Sequence, residues 1–327
     1  MKVCLLVQES QRSIFDTWYD AIAAEVGHCD IIRVSADDQK NLQKYIADND
    51  IDLNGYDRVI LFLRYKKMMR QVAFVRTIPN LVIIELDTFQ NYCESKYNGK
   101  FSAYFGKIPW VRVMCTGKGH SASLVREGFD ACFVPKAYDH KLLKNLYQER
   151  DIEMAFIGSL QMGVYQYRKA FLERLAERQP LHIERTNSGA EYLQILNRIK
   201  FFIGADIPFH EYMIKNFEAM ACGCVLFTWD NGAVENDALG FVDMENVVLY
   251  RTMDELLEKL QVLRTDEALA GNIAATGQQL VEHNHTWAHA AKRLAAYLEP
   301  PLRVPVVDRS VFGLVKTYGY EEPRRHK

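Results

Sequence analysis

The sequence lacks the features that mark membrane-spanning, secreted and nucleic-acid-binding proteins. No run in its 327 residues approaches the roughly 20 consecutive apolar residues of a membrane span. The opening MKVCLLVQES holds too short an apolar stretch for a signal peptide. The net charge of -2 gives no overall attraction to nucleic acid, so we expect no such partner. These absences predict a soluble, cytoplasmic protein.

Cysteine is too scarce and scattered for a disulfide framework. The seven cysteines are odd in number and lie in apolar segments, which is typical of reduced residues in a cytosolic protein. Motifs of the forms G-x-x-x-x-G-K-[ST], G-x-S-x-G and G-x-G-x-x-G are also absent. The histidines of HNHTWAH place only two side chains on one helical face, so we expect no metal site and no cofactor.

What the chain does contain is a repeated alternation of apolar and amphipathic segments. Short apolar runs such as KVCLLV, RVILFL and NLVIIEL occur in the first half, and EMAFIGSL, KFFIGA and CVLFTW in the second. This pattern predicts β-α-β units whose parallel strands are buried on both faces. Because the chain exceeds the usual size of one core, we predict an α/β fold of two Rossmann-like, doubly wound domains facing across a cleft.

The predicted boundaries divide the chain into three parts. We predict an N-terminal domain over residues 1–145 and a second domain of the same kind over residues 146–285. Residues 286–327 form a helix and tail that pack back toward the N-terminal domain. Ligands of doubly wound sheets bind at the carboxyl ends of the strands, so we expect the chemistry in the cleft.

The stretch KNFEAMACGCVLF, residues 215–227, carries the strongest family signal. As a helix it sets Glu218 beside an apolar stripe that includes Phe217 and Met220, and Gly223 suits a left-handed C-cap. Together with VVLYRTMDELLEKL and HNHTWAHAAKRL, this stretch resembles group 1 GT-B glycosyltransferases and their CgeB-like relatives over about residues 150–295. The resemblance implies a hexosyltransferase-type enzyme of cell-surface polysaccharide synthesis that uses a nucleotide-sugar. It also implies that residues 1–145 are the acceptor-side domain and residues 146–285 the nucleotide-sugar-binding domain.

The resemblance also implies roles for individual residues. The family's glutamate before A-M-A-C-G binds the ribose hydroxyls, which implies this role for Glu218. A carboxylate accepts two hydrogen bonds from a vicinal diol, and a helix holds it rigidly. The alternative is a carboxylate that points to solvent. Many members carry a second glutamate eight positions earlier; here that position is His210, beside Glu211, so either residue is a candidate sugar contact and His210 equally suits a loop cap.

The other donor candidates lie near three predicted loops. Backbone amides around residues 210–212 precede a helix and are expected to hold a diphosphate. An F-x-G-S turn with a following arginine borders the diphosphate in related proteins, and a polar loop lies where they bind the nucleobase. Arg168 equally suits a solvated helix face, and Lys215 an ion pair. The predicted donor set is Gly158, Ser159, Arg168, Asn187, Ser188, His210, Glu211, Tyr212, Lys215 and Glu218.

The first domain supplies the acceptor candidates. Asp87 follows a strand in IIELDTFQNY, where it would orient the acceptor hydroxyl, act as general base or merely cap the next turn. Asp87 and His210 are the catalytic candidates, and Glu9, Arg12 and Lys67 the acceptor-binding ones. Residues 58–76 are basic and suggest either peripheral membrane contact, a phosphorylated glycan or a solvated helix face.

The resulting prediction is metal-independent transfer to a glycan, lipid-linked or protein acceptor. The resemblance implies retention of the anomeric configuration, whereas inversion would need Asp87 as base. One alternative is a catalytically silent GT-B-fold partner or glycan-binding protein. A second is an enzyme that rearranges nucleotide-sugars without an acceptor.

Overall fold

The computed structural model describes residues 1–10, 13–160, 163, 165–309 and 316–323. Its first sheet has six parallel strands in the order β2-β1-β3-β4-β5-β6. The strands are β1 (Lys2–Gln8), β2 (His28–Val34), β3 (Arg58–Phe62), β4 (Leu81–Glu85), β5 (Arg112–Cys115) and β6 (Asp130–Phe133). The helices are α1 (Asp16–Val26), α2 (Leu42–Asp48), α3 (Tyr65–Met68), α4 (Val72–Val75), α5 (Lys100–Phe105) and α6 (Lys118–Arg126).

The second sheet has five parallel strands in the order β11-β10-β9-β7-β8. They are β7 (Ile152–Ile157), β8 (His182–Glu184), β9 (Ile199–Gly204), β10 (Val225–Trp229) and β11 (Val248–Tyr250). The helices are α7 (Gln166–Arg178), α8 (Ala190–Arg198), α9 (Ile214–Ala221), α10 (Ala233–Leu239), α11 (Met253–Thr265) and α12 (Glu267–Asn284). The predicted α/β class with two doubly wound sheets is confirmed.

The last helix, α13 (Trp287–Leu298), packs on α1 of the first domain. The indole of Trp287 stacks on that of Trp18 with ring centroids 4.8 Å apart. Arg58 Nε donates to the carbonyl of Leu298 at 2.7 Å, which satisfies an acceptor at the helix end. A hairpin of β12 (Val304–Arg309) and β13 (Lys316–Glu321) follows. Among the described residues, no helix is both long enough and apolar enough to cross a membrane.

The basic segment 58–76 is divided among several short elements, and its membrane contact stays a prediction. It comprises β3, α3 and α4 with turns between them. Arg58 holds the end of α13, and Arg76 Nε donates to the Lys107 carbonyl at 2.8 Å. The Arg76 guanidinium also lies 3.8 Å from the ring centroid of Tyr318. The first and last cations of the segment therefore hold the C-terminal part of the chain.

Helix α9 ends in the left-handed cap that the sequence predicts. Gly223 has φ +78, its N–H donates to Met220 at 2.9 Å, and the next N–H, of Cys224, donates to Ala219 at 3.0 Å. These two bonds form a Schellman motif. The cap turns the chain directly into β10, and so fixes the helix against the sheet.

Replacing Gly223 with alanine should lower the free energy of unfolding by about 2 kcal/mol or more. An L residue is strained at this φ, and a Cβ would lie 2.3 Å from Asn145 Nδ2. Urea denaturation measures the loss. Gly271→Ala is the matched control, because Gly271 lies within α12 and its Cβ would meet no described atom within 4 Å. The free energy of unfolding of that variant should rise by up to about 1 kcal/mol, because alanine has the higher helix propensity. An equal change in unfolding free energy for both variants would contradict this role of Gly223.

Candidate functional site

Three cavities form a row between the carboxyl ends of the two sheets. The second-domain cavity, of about 400 Å³, is lined by Ile157, Gly158, Ser159, Tyr165, Arg168, Arg185, Thr186, Asn187, Ser188 and Lys215. The central cavity, of about 290 Å³, shares Tyr165, Arg168 and Lys215 with it. The first-domain cavity, of about 360 Å³, shares Leu86 and Asp87 with the central one. The shared residues make the row continuous from one domain to the other.

The second-domain cavity brings together six of the predicted donor residues: Gly158, Ser159, Arg168, Asn187, Ser188 and Lys215. The turn after β7 and the loop after β8 supply four of them, since parallel strands end at one edge of a sheet, while Arg168 lies on α7 and Lys215 on α9. A Cβ at Gly158 would lie 3.1 Å from Lys215 Cε, so glycine permits this close approach. Arg185, which was not predicted from the sequence, lines the same cavity and adds a third cation to Arg168 and Lys215.

Glu218 lies one layer beneath this cavity and does not point to solvent. Its side chain is 0% exposed, and Oε2 accepts a hydrogen bond from the Tyr192 hydroxyl at 2.7 Å. The Lys215 ammonium lies 4.6 Å from the centroid of the Tyr192 ring. Oε1 of Glu218 is buried and has no hydrogen-bond partner among the described residues. An unsatisfied buried carboxylate oxygen costs free energy and indicates either a functional role or a missing ligand.

Arg168 is buried rather than solvated, which excludes the simple helix-face alternative. Its Nη2 lies 2.8 Å from Asp206 Oδ1, with both side chains almost fully buried. The guanidinium also stacks 4.6 Å from the centroid of the Tyr165 ring. Asp206 further accepts from Asn216 Nδ2 at 2.8 Å and from the Met213 N–H at 3.2 Å. The positive charge of Arg168 is thus already balanced within the protein.

The segment before α9 differs from the prediction. His210 is exposed in a left-handed conformation with φ +51, whereas Tyr212 is buried and its hydroxyl donates to Asn236. Neither residue, nor Glu211, lines any of the three cavities. Helix α9 begins only at Ile214, and the residues of its first turn that line the central cavity are Ile214, Lys215 and Asn216. Residues 210–212 therefore lie outside these cavity linings, and their role in binding a diphosphate stays a prediction.

Glu211 instead forms a buried contact between the domains. Its Oε1 lies 2.5 Å from Lys136 Nζ and accepts from the Thr116 hydroxyl. Beside it, His120 Nε2 donates to the carbonyl of Phe209 at 2.8 Å. These bonds join the loop before α9 to the end of β5 and the start of α6. The contact fixes one domain against the other at the edge of the central cavity.

Asp87 occupies the junction between the first-domain and central cavities. Its side chain makes no hydrogen bond to the following turn, which contradicts the capping alternative. Although the carboxylate is exposed to the cleft, desolvation by the surrounding domains raises its pKa, while the charge of Lys136 lowers it. A carboxylate placed here contacts whatever occupies either cavity.

Glu85 was not selected from the sequence but lies beside Asp87. Its Oε1 accepts from the Asp87 N–H at 2.9 Å, and the side chain lines the first-domain cavity. Burial, and then the charge of Asp87, raise the pKa of Glu85 to about 8. The signal in the sequence was a carboxylate at the end of an otherwise apolar strand.

The raised pKa of Glu85 predicts a loss of stability with rising pH. The folded state keeps the proton up to about pH 8, whereas the unfolded carboxyl releases it near 4.5. The stabilising contribution is complete below the lower value and disappears as pH rises through the higher one. From about pH 5 to pH 8, the unfolding free energy of the wild type should fall by roughly 2–4 kcal/mol more than that of Glu85→Gln. Parallel profiles in urea denaturation would contradict this assignment.

Of the predicted acceptor residues, neither Glu9 nor Lys67 lines the first-domain cavity. Glu9 is exposed directly after β1, its N–H donates to the Val34 carbonyl at 3.0 Å, and it does not line the first-domain cavity, although the adjacent Gln8 does. Lys67 lies on α3, where the adjacent Lys66 rather than Lys67 lines the first-domain cavity. Arg12 lies outside the described residues.

Comparison with known proteins agrees with this geometry. Residues 136–296 match the model of a family described as glycosyl transferase-like. The structure is similar to sucrose-phosphate synthase from Thermosynechococcus elongatus, with a TM-score of 0.67 and 14% identity over 91% of this chain and 98% of that one. The structure is also similar to that of HepE from Anabaena in complex with UDP-glucose, with a TM-score of 0.66 and 13% identity over 91% of this chain and 99% of that one. The chain has the GT-B fold.

A third solved structure extends the comparison. TarM from S. aureus, in complex with Fondaparinux, alpha-GlcNAc-glycerol and UDP, gives a TM-score of 0.58 and 11% identity over 80% of this chain and 59% of that one. No curated protein sequence matches the chain. At these identities the likeness establishes the fold, and the family match covers the second domain and α13.

Proposed function

We propose that the protein transfers a sugar from a nucleoside diphosphate sugar to the hydroxyl group of an acceptor. The observation that carries the proposal is the continuous row of cavities, with Lys215 and Arg185 at one end and Asp87 at its centre. Cations at one position and a carboxylate at another suit a reaction that releases a diphosphate and consumes a hydroxyl. The glycosyl transferase-like match and the UDP complexes of the similar structures support the same reaction.

In this proposal Glu218 accepts a hydrogen bond from a ribose hydroxyl of the donor. Its unpaired Oε1 is the available acceptor, and Lys215, one turn earlier in α9, faces the second-domain cavity. The Tyr192 side chain covers Glu218 and must shift when the donor enters. The loop of Thr186, Asn187 and Ser188 then contacts the nucleobase.

Lys215 and Arg185 neutralise the diphosphate as the glycosidic bond breaks. Negative charge accumulates on the leaving group in the transition state, and fixed cations lower that barrier. Arg168 is a positioning residue in this proposal, since its charge is already balanced by the buried carboxylate of Asp206. We propose that these side chains do this without a metal ion, so that turnover persists in EDTA.

The acceptor hydroxyl is placed against Asp87, at the junction of the cavities. Consistent with the family resemblance, we propose retention of the anomeric configuration, with the leaving phosphate accepting the hydroxyl proton and Asp87 orienting the hydroxyl. The proton NMR spectrum of the fresh product distinguishes the anomers. An inverted product would assign the base role to Asp87 instead.

The test is release of the leaving nucleotide in EDTA, which is UDP, GDP or ADP from the corresponding diphosphate sugars and CMP from CMP-linked sugars. Water can take the place of the acceptor hydroxyl, so slow release from one donor class is the expected result. The burial of Glu218 beneath Tyr192 favours a catalytically silent GT-B-fold partner as the second candidate. That candidate predicts no release from any donor and no stabilisation by any nucleotide.

A further inference from the structure

The first-domain cavity has the lining of a saccharide site. One wall is aromatic: the Tyr65 ring stacks on Phe101 with centroids 3.9 Å apart and meets the edge of Tyr97 at 5.3 Å. Two carboxyl groups, those of Glu85 and Asp87, lie at the inner end. Apolar walls with a few convergent polar groups are typical of small-ligand sites, and about 360 Å³ suits one or two sugar units.

The outer end of the same cavity carries positive charge. Arg64 and Lys66 both line it, and the sequence has no acidic residue between residues 58 and 84. Desolvation, and then the charges of Lys40, Arg70 and Arg64, lower the pKa of Lys67. The cations therefore cluster closely enough to act on one another, with Asp37 as the nearby carboxylate that pairs with Lys40.

Arg64 is held in place rather than loosely exposed. Its Nε donates to Gln8 Oε1 at 2.8 Å, and its backbone N–H donates to Gln39 Oε1 at 3.1 Å. Gln39 is buried and donates in turn to the Val34 carbonyl at 3.1 Å. This network orients a guanidinium whose planar fork matches a carboxylate or a phosphate.

The geometry points to an acidic saccharide as the acceptor. Its hydroxyl reaches Asp87 at the inner end, and its carboxylate or phosphate group pairs with Arg64 and Lys66 at the outer end. The role as acceptor rests on the proposed function, whereas binding of the acidic saccharide does not. A neutral sugar would offer no anionic group to the side chains of Arg64 and Lys66.

Saturation-transfer NMR on the full chain, without donor, tests the binding. The probes are methyl β-glucuronide, glucose 6-phosphate and neutral methyl β-glucoside, and the first two distinguish a carboxylate from a phosphate. We expect both acidic probes to bind at least about tenfold more tightly than the neutral one. The Arg64→Gln/Lys66→Gln double variant should lose that preference, whereas Arg174→Gln, on the exposed face of α7, should keep it.

Three results would overturn the inference. One is equal binding of the neutral and acidic probes. Another is displacement of both acidic probes by an equal concentration of inorganic phosphate, which would indicate an anion site without sugar recognition. The third is no probe binding together with Lys66-dependent sedimentation on phosphatidylserine vesicles, which would assign the cations to a membrane surface. None of these results affects nucleotide binding, so failure here is distinguishable from failure of the proposed function.

Discussion

Replacing Lys215 with methionine should lower kcat/KM for the donor by about 10²- to 10³-fold. The ammonium lines both the second-domain and central cavities, so it lies where the leaving diphosphate is proposed to develop charge. Methionine keeps most of the aliphatic stem that packs near Gly158 and Tyr192. Initial rates of nucleoside diphosphate release, with and without acceptor, measure the loss.

The matched control for this change is Lys169→Met. Lys169 lies on the partly exposed face of α7 and pairs with Glu173 at 3.6 Å, and it lines none of the three cavities. We expect less than a twofold change in kcat/KM for the control. A Lys215→Met enzyme in which KM rises and kcat is unchanged would show that the ammonium binds the ground state and the transition state equally, and would contradict its proposed selective stabilisation of the leaving group.

Replacing Arg168 with methionine should lower the free energy of unfolding by about 3–5 kcal/mol. The change leaves the Asp206 carboxylate buried without its ionic partner, with only the Asn216 amide and Met213 N–H still donating to it. The double variant Arg168→Met/Asp206→Asn should recover much of the loss, because it removes the uncompensated charge. Urea denaturation of the single and double variants measures the coupling.

Arg178→Met provides the control for that experiment. Arg178 pairs with Asp254 at the same 2.8 Å, but the two side chains are 49% and 76% exposed. Exposed pairs contribute little, so we expect a loss below about 1 kcal/mol. If the Arg168 and Arg178 variants lost equal stability, the assignment of Arg168 as a buried structural cation would fail.

Much of the fold follows from local sequence patterns. Continuous apolar runs predict β1, β4 and β9 because strands covered on both faces need no polar alternation. The glycine at position 223 predicts the left-handed cap at the end of α9, because few other residues adopt positive φ readily. The loops around Gly158 and Ser188 lie together for another reason that the sequence pattern contains, since residues that follow parallel strands share one edge of the sheet.

The parts that escaped prediction depend on contacts between distant residues. The sequence makes Glu211 a candidate sugar contact because it follows His210. Only the folded chain places Lys136 and Thr116 against its carboxylate. The burial of Glu218 beneath Tyr192 joins two different helices in the same way. In segment 58–76 the sequence shows a run of cations, and only the folded chain shows that Arg58 and Arg76 donate to carbonyls of distant residues.

The most direct test of the proposed donor site is calorimetry with UDP, GDP, ADP and CMP on the wild type and on Glu218→Gln. Glutamine keeps the shape and an acceptor for the Tyr192 hydroxyl, but removes the charge of the buried oxygen that lacks a protein partner. Ligand at 100 times its dissociation constant adds about 2.7 kcal/mol of stability, so a thermal-shift series provides an independent readout.

We predict that one nucleotide binds the wild type selectively and binds Glu218→Gln about 10- to 100-fold more weakly. The unliganded variant should be at least as stable as the wild type, because it no longer buries an unpaired carboxylate oxygen. Unchanged nucleotide affinity together with a loss of stability would show that Glu218 serves the packing of α9 alone, and would contradict its place in a donor site.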